Sequence, residues 1–375
     1  MTQASRPVRV WDAPTRVFHW ALAGAVFSAW LTRKAQYLDL HVFCGYAIGL
    51  LVAFRYVWGF IGTRWARFAS FPLSISSAAH YLRELLRGRV IHYTGHNPAG
   101  SWAIHGLLAA AAILVGTGIV ALGAEHAQGP LAGAFSYEAG DSAHLAHQWL
   151  AYGLLGLVGM HLLGVLVGSL ADHQNLVRAM LVGSKRIAGA ANAVELRGAV
   201  AGMLGLLIIL GGCAYFRGNP LAGQARATRP PAPLAADKTW QDECGGCHLA
   251  FHPSLLPARS WAQLLAGQDE HFGEELGISA RKLQLLSAFA SAHAAEALES
   301  SVAWKMEHSI PGGATPLRIT TTPYWQQRHA RIAAAVFAST RRSECGACHQ
   351  DAKAGTFAPQ AIHLGAGTST TREGG

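Results

Sequence analysis

Charge is what this sequence has least of. Only 14% of its 375 residues are Asp, Glu, Lys or Arg, against 51% hydrophobic. That balance excludes an ordinary soluble domain, and the length exceeds one simple bundle, so a membrane part joined to a soluble part is expected. Cysteine is scarce too, at six residues, which excludes a disulfide framework. Four of the six stand in two Cys-x-x-Cys-His motifs, while Cys44 and Cys213 lie in apolar segments and read as packing residues. No Ser-His-Asp set, phosphate-binding loop or carboxylate pair argues for bond-making catalysis. The formal charge of +9 comes from basic residues in short loops between apolar segments, where they set topology, so nucleic-acid binding is a weak reading. The first apolar segment follows Arg6, Arg9 and Arg16 and lacks a small-residue cleavage site, so it is expected to stay as an anchor.

Five stretches qualify as membrane helices: about 16–32, 40–60, 101–123, 143–168 and 196–216. Arg64, Arg67, Arg83, Arg87 and Arg89 follow the second, and Arg178, Lys185 and Arg186 follow the fourth. The loop at 124–142 has no Lys or Arg, only Glu125, Glu138 and Asp141. Arg33 and Lys34 are a small exception in the first outer loop. The asymmetry predicts a cytoplasmic N-terminus, with everything after residue 217 outside. The last stretch carries no His or charged residue between Gly198 and Phe216 and reads as a plain tether.

The fourth stretch carries His144, His147 and His161. His147 and His161 are fourteen residues apart, just under four turns, so both rings leave one helix face about 21 Å apart along the axis. Ionisable rings inside a bilayer are costly and mark sites or pathways. Chain direction puts His147 at the outer level with His41, and His161 at the inner level with His19. Two imidazole pairs at two depths suit two b-type haems, which need neutral rings on either side of the iron. His19 with His161 is the cytoplasmic-side pair, and His41 with His147 the periplasmic-side pair. His144 turns off the shared face, and His105 opens the third helix without a depth-matched partner, so it reads as structural. Arg55 has two readings: snorkelling to the interface, or pairing with a propionate of the inner haem. Trp20, Trp58, Trp65, Trp102 and Trp149 sit near helix ends as interfacial anchors.

The runs RVWDAPTRVFHW (9–20), LHVFCGYAIGLLVAFRYVWGFIGTRWARF (40–68), HYTGHNPAGSW (92–102) and NLVRAMLVGSK resemble the bacterial cytochrome b561 family. That family includes the b-type subunit of nickel-iron hydrogenases and the membrane subunit of formate dehydrogenase. The resemblance covers roughly residues 6–186. It implies a four-helix core holding two b haems through one His on the first helix, one on the second and two on the fourth. Those roles fall on His19, His41, His147 and His161. His92 and His96 match a family motif but have no evident chemistry, and Asn97-Pro98 is expected to cap the third helix.

Residues 218–237 include RPPAPLAA, the composition of a stiff spacer. Beyond it stand Cys244-Gly245-Gly246-Cys247-His248 and Cys345-Gly346-Ala347-Cys348-His349. This spacing lets two thiolates add to the vinyl groups of one haem while the adjoining His becomes an axial ligand. Two such motifs on the exported side point to two covalent c haems; a thioredoxin-like site would need a strand-helix context that is missing. Candidates for the remaining axial positions are His252, His271, His293, His308, His329, His363 and Met306. Met306 is the only Met of the domain, so methionine cannot serve both haems. His329 lies on a helix expected to start at Thr322-Pro323 and run to about 338. His293 falls in an amphipathic helix from about Ser279 and reads as solvated or structural, and His252 stands too close to the first motif to reach the opposite haem face.

The ECGGCH motif with LLPARSWAQLLAGQDEHFGEE (255–275), TPLRITTTPYWQQRHARI (315–332) and ECGACHQDAKAGTF resemble the dihaem cytochrome c family over 238–358. The resemblance implies two bis-His haems, with His271 and His329 as the distal ligands. Chain order then pairs His248 with His271, and His349 with His329.

The expected molecule is all-α. A transmembrane cytochrome b domain (1–190) of four helices is followed by a fifth transmembrane helix (191–217), a linker (218–237), a mostly helical periplasmic dihaem domain (238–363) and a disordered tail (364–375). Its expected function is electron transfer across the bacterial inner membrane, between the quinone pool and a soluble periplasmic protein. The resemblance suggests a small oxygen-binding c-type haem protein as that acceptor. An electron carrier is favoured over a stand-alone enzyme, whose form would be a quinol:acceptor oxidoreductase. The alternative is the anchor subunit of a larger respiratory dehydrogenase or hydrogenase complex; the fused dihaem domain argues against it, since it occupies the outer face where such a partner would dock.

Overall fold

The computed structural model describes residues 6–34, 37–89, 91–126, 128–187, 193–218, 237–297, 300–330, 332, 336–337, 340–358 and 361–363. The expected spacer from 219 to 236 and the tail from 364 lie outside the described residues. The chain falls into two compact units: Met1–Gly118 with His144–Pro220, and Ile119–Ala143 with Leu221–Gly375.

In the first unit a short strand, β1 (Arg6–Arg9), precedes helices α1 (Ala13–Leu31), α2 (Leu38–Ile61), α3 (Ile75–Leu86), α4 (Pro98–His126), α5 (Tyr137–Ala171) and α6 (Leu176–Val182). Strand β2 (Ser184–Ile187) and helix α7 (Gly198–Gly218) follow. Helices α2, α4, α5 and α7 are long and apolar enough to cross a membrane, which makes this a multi-pass membrane protein. Helix α1 is less apolar, because Arg16, His19, Trp20 and Trp30 occupy its length.

Asp12 organises the entry to this bundle. It is 1% exposed, and its Oδ1 accepts the Thr15 amide at 2.8 Å, capping α1. Its Oδ2 accepts Trp58 Nε1 at 3.1 Å and the Thr63 hydroxyl at 2.6 Å, tying the start of α1 to the end of α2. Trp58 is therefore buried rather than an interfacial anchor, because its indole N–H has a carboxylate to reach inside. Strands β1 and β2 pair antiparallel, Arg6 with Ile187 through Arg9 with Ser184. Gly183, at φ +88°, turns the chain between α6 and β2; a Cβ there would sit 2.7 Å from the Trp11 carbonyl oxygen.

Phe18, Ile48, Leu51, Val52, Leu108, Ala111 and Leu204 form the apolar core, drawn from α1, α2, α4 and α7. Helix α7 is thus no plain tether. Leu204 is buried, Gly212 lets Phe43 approach, and the Tyr215 hydroxyl donates to the Asp39 carbonyl at 3.1 Å. The absence of charge left its small and aliphatic face free to pack. No residue of α5 belongs to this cluster.

The second unit holds α8 (Lys238–Cys244), α9 (Ala258–Ala266), α10 (Ala280–Ala292), α11 (Ser301–Ser309) and α12 (Pro323–His329), together with the 119–143 segment. Such short helices cannot stand alone. They close around Trp240, Leu256, Trp261, Leu286, Met306 and Trp325. Trp240 and Trp261 meet edge to face at 5.4 Å, and both indole N–H groups reach backbone carbonyls. Helix α12 runs to His329, and residues 331, 333–335 and 338 of the stretch expected to continue it lie outside the described residues.

Candidate functional site

Among the described residues, four pairs of imidazoles face one another. His19 on α1 meets His161 on α5 with ring centroids 6.3 Å apart, and His41 on α2 meets His147 on α5 at 6.0 Å. In the second unit His248 meets His271 at 6.4 Å, and His329 meets His349 at 6.2 Å. A metal held between two imidazoles at about 2 Å per bond keeps the facing nitrogens about 4 Å apart, and each ring centre lies about 1 Å further back. All four separations fit one bridging iron.

Four of the eight rings are anchored at their other nitrogen, as suits a metal-binding imidazole. His41 Nδ1 donates to the Ala29 carbonyl at 2.9 Å, and His147 Nδ1 to the Leu114 carbonyl at 2.9 Å. His248 Nδ1 donates to the Leu249 carbonyl at 2.7 Å, and His329 Nδ1 to the Trp325 carbonyl at 2.8 Å. The Nδ1 atoms of His19 and His349 are buried without a partner. Gly118 makes room for the His147 ring, since a Cβ there would lie 3.0 Å from Cε1. Helix α5 contributes both of its pairing histidines yet nothing to the apolar cluster, as expected of a helix that faces its neighbours across a cofactor.

Local turns aim the rings of the second unit. Cys244 ends α8, and Cys345 begins a short 3-10 turn from which the His349 amide donates to the Cys345 carbonyl at 2.8 Å. His271 opens a tight turn in which Phe272 and Gly273 have φ of +58° and +101°, closed by paired backbone bonds between His271 and Glu274. The Arg318 guanidinium lies 3.9 Å from the Phe272 ring centre and braces that turn. The His329 ring stacks on Trp325 at 4.2 Å. Burial lowers the pKa of His271, His329 and His349, favouring the neutral ring that binds metal.

The other candidates do different work. His252 is 1% exposed, its Nδ1 lies 2.8 Å from the Ser254 hydroxyl, and Gly355 packs closely against its ring. His293 and His308 bond back to the carbonyls of Phe289 and Trp304, the His363 amide donates to the Cys348 carbonyl, and Met306 lies in the core. His105 bonds to the Ser101 carbonyl, and Asn97 Oδ1 accepts the Gly100 amide at 2.6 Å as the cap of α4. Arg55 does not snorkel. It is 3% exposed, its guanidinium lies 4.7 Å from the Phe68 ring centre, and Nη1 is buried without a partner.

Sequence alone assigned no role to Asp12 and no chemistry to His96. His96 sits between Trp11 at 4.7 Å and Phe71 at 4.3 Å; burial, with Arg55 and Lys185 nearby, brings its pKa down to about 3. The Asp before Ala13-Pro14 was a readable cap signal; the packing of His96 between two aromatic rings was not readable.

Residues 10–183 match the prokaryotic cytochrome b561 family, and residues 240–357 match the dihaem cytochrome c family. Among solved structures, the diheme cytochrome c from Rhodobacter sphaeroides is 31% identical, covering 33% of this chain and 99% of that one at a TM-score of 0.31. A diheme cytochrome type c from Shewanella baltica OS155 is 22% identical, covering 34% and 93% at a TM-score of 0.27. No match was found among curated proteins. Fold and family matches together define a membrane electron-transfer protein. The chain joins a prokaryotic cytochrome b561 segment to a dihaem cytochrome c segment, which imply haem b and haem c as cofactors.

Proposed function

We propose that this protein conducts electrons between the quinone pool and a soluble periplasmic acceptor, using two b haems and two c haems. The observation that carries the reading is the common spacing of the four imidazole pairs, 6.0 to 6.4 Å. The proposed axial ligands are His19 with His161, His41 with His147, His248 with His271, and His349 with His329. Cys244, Cys247, Cys345 and Cys348 are the proposed points of covalent attachment. Haem iron, when bound, supplies reversible one-electron chemistry.

The chain's part is to keep the rings neutral in apolar surroundings and, for His41, His147, His248 and His329, to fix the tautomer through a backbone carbonyl. Arg55 is the proposed propionate partner of the cytoplasmic-side site, since a buried guanidinium with an open N–H calls for a charged acceptor. The Lys- and Arg-free loop at 124–142 supports a periplasmic C-terminal domain. A small oxygen-binding c-type haem protein is the proposed acceptor.

Pyridine haemochrome analysis of the purified protein tests the reading, with b and c haems counted separately during a redox titration. Two of each are expected, and any other ratio breaks the ligand assignment.

A further inference from the structure

Within the second unit the 119–143 segment is folded against α11 and α12. Trp304 Nε1 donates to the Ala124 carbonyl at 3.0 Å, and a Cβ built on Gly133 would touch the indole at 3.9 Å. Lys305 Nζ stands 3.3 Å from His126 Nε2. The Tyr137 hydroxyl donates to Gln327 Oε1 at 2.7 Å, and Gln327 Nε2 donates in turn to the Asp141 carboxylate. The Tyr137 and Tyr324 rings meet edge to face at 6.1 Å.

The segment is shaped for this contact. The Gly133 amide donates to the Gly123 carbonyl at 3.0 Å, the Leu131 carbonyl oxygen fills the place of a Gly123 Cβ, and Gly140 rests on Ala124. Charge is complementary as well. The segment offers Glu125, Glu138 and Asp141 with no Lys or Arg, while the opposing elements bring Lys305 and Arg328. Lys305 is half-buried, and the loss of water around it brings its pKa down to about 8 against the attraction of Glu125. A lysine is buried at such cost only where acceptors and countercharge are built around it.

We propose that the dihaem domain is latched to the 124–141 loop by Trp304, Lys305, Tyr324 and Gln327, and works docked there rather than swinging on its spacer. The latch helix α12 carries Gln327 and, two residues on, His329. The paired site of His329 and His349 is therefore the one held against the loop. The inference does not depend on the direction or existence of electron flow, because its test reads position.

A specific protease site is inserted between Thr228 and Arg229 of the full chain in right-side-out or permeabilised membrane vesicles. After cleavage the vesicles are pelleted and covalent haem is measured in pellet and supernatant. The expected result is that cut wild-type protein keeps its c haem in the pellet. Tyr137→Phe combined with Trp304→Phe and Gln327→Ala is expected to lose it to the supernatant with an unchanged c-type spectrum, which separates undocking from unfolding. Release from cut wild-type protein overturns the latch, and retention by the triple variant overturns this choice of face.

Discussion

A ring nitrogen that must meet iron has to be neutral, inward-facing and unable to turn. Among the paired histidines, the carbonyls of Ala29, Leu114, Leu249 and Trp325 each take the Nδ1 proton, which leaves Nε2 as the nitrogen with a lone pair to offer the proposed iron. His161→Leu is expected to reduce the b-haem count from two to one while both c haems remain, read by pyridine haemochrome. His329→Ala is expected to keep two covalent haems but open one iron, so carbon monoxide shifts the reduced spectrum of the variant and hardly that of the wild type. His96 carries a pH prediction. Its pKa is about 3 when folded against 6.5 ordinarily, so between those values the unfolded chain binds a proton that the folded chain refuses. Stability contributed by the neutral ring is thus intact above pH 6.5 and falls as pH drops, by up to about 1.4 kcal/mol per pH unit. Thermal unfolding followed by b-type absorbance should show that slope, and His96→Phe should flatten it.

Elements were legible where periodicity or capping spoke for them. All five stretches expected as membrane helices are helical, four of them long and apolar enough to cross a membrane, and α5 begins at Tyr137, six residues before the apolar run that announced it. The apolar run marks where lipid contact is possible; the helix continues wherever backbone bonds can. Two expectations about elements failed for the same reason. Composition made α7 a tether and Trp58 an anchor, whereas Leu204, Tyr215 and Asp12 drew both into the bundle. A featureless apolar sequence does not say which neighbour it will meet. At Gly183 the demand is local, and Gly183→Ala is expected to cost about 1–2 kcal/mol from the left-handed conformation alone. A lower unfolding temperature of the membrane part would register it.

At the scale of the whole molecule, the proposed conduit makes one demand that no single domain can meet: the exported haems must be reached through the membrane part. In His161→Leu a quinol should no longer reduce the c haems, while dithionite, acting directly from solution, still should. Equal quinol reduction in variant and wild type would show that the inner site is bypassed. The two family segments were recognisable in the sequence because their motifs are short and local: Cys-x-x-Cys-His twice, and histidines at helical spacing.

Residue chemistry, helix-forming runs and charge asymmetry were carried by the chain itself, since each depends on neighbours within a few turns. That is enough to name every proposed ligand and the cofactor type. Only the tertiary structure decided that Arg55 is enclosed, that His96 packs between Trp11 and Phe71, that α7 joins the core, and that the 124–141 loop packs on α11 and α12. Those outcomes turn on contacts between residues far apart in sequence, where burial and partner availability, rather than local pattern, set the free energy.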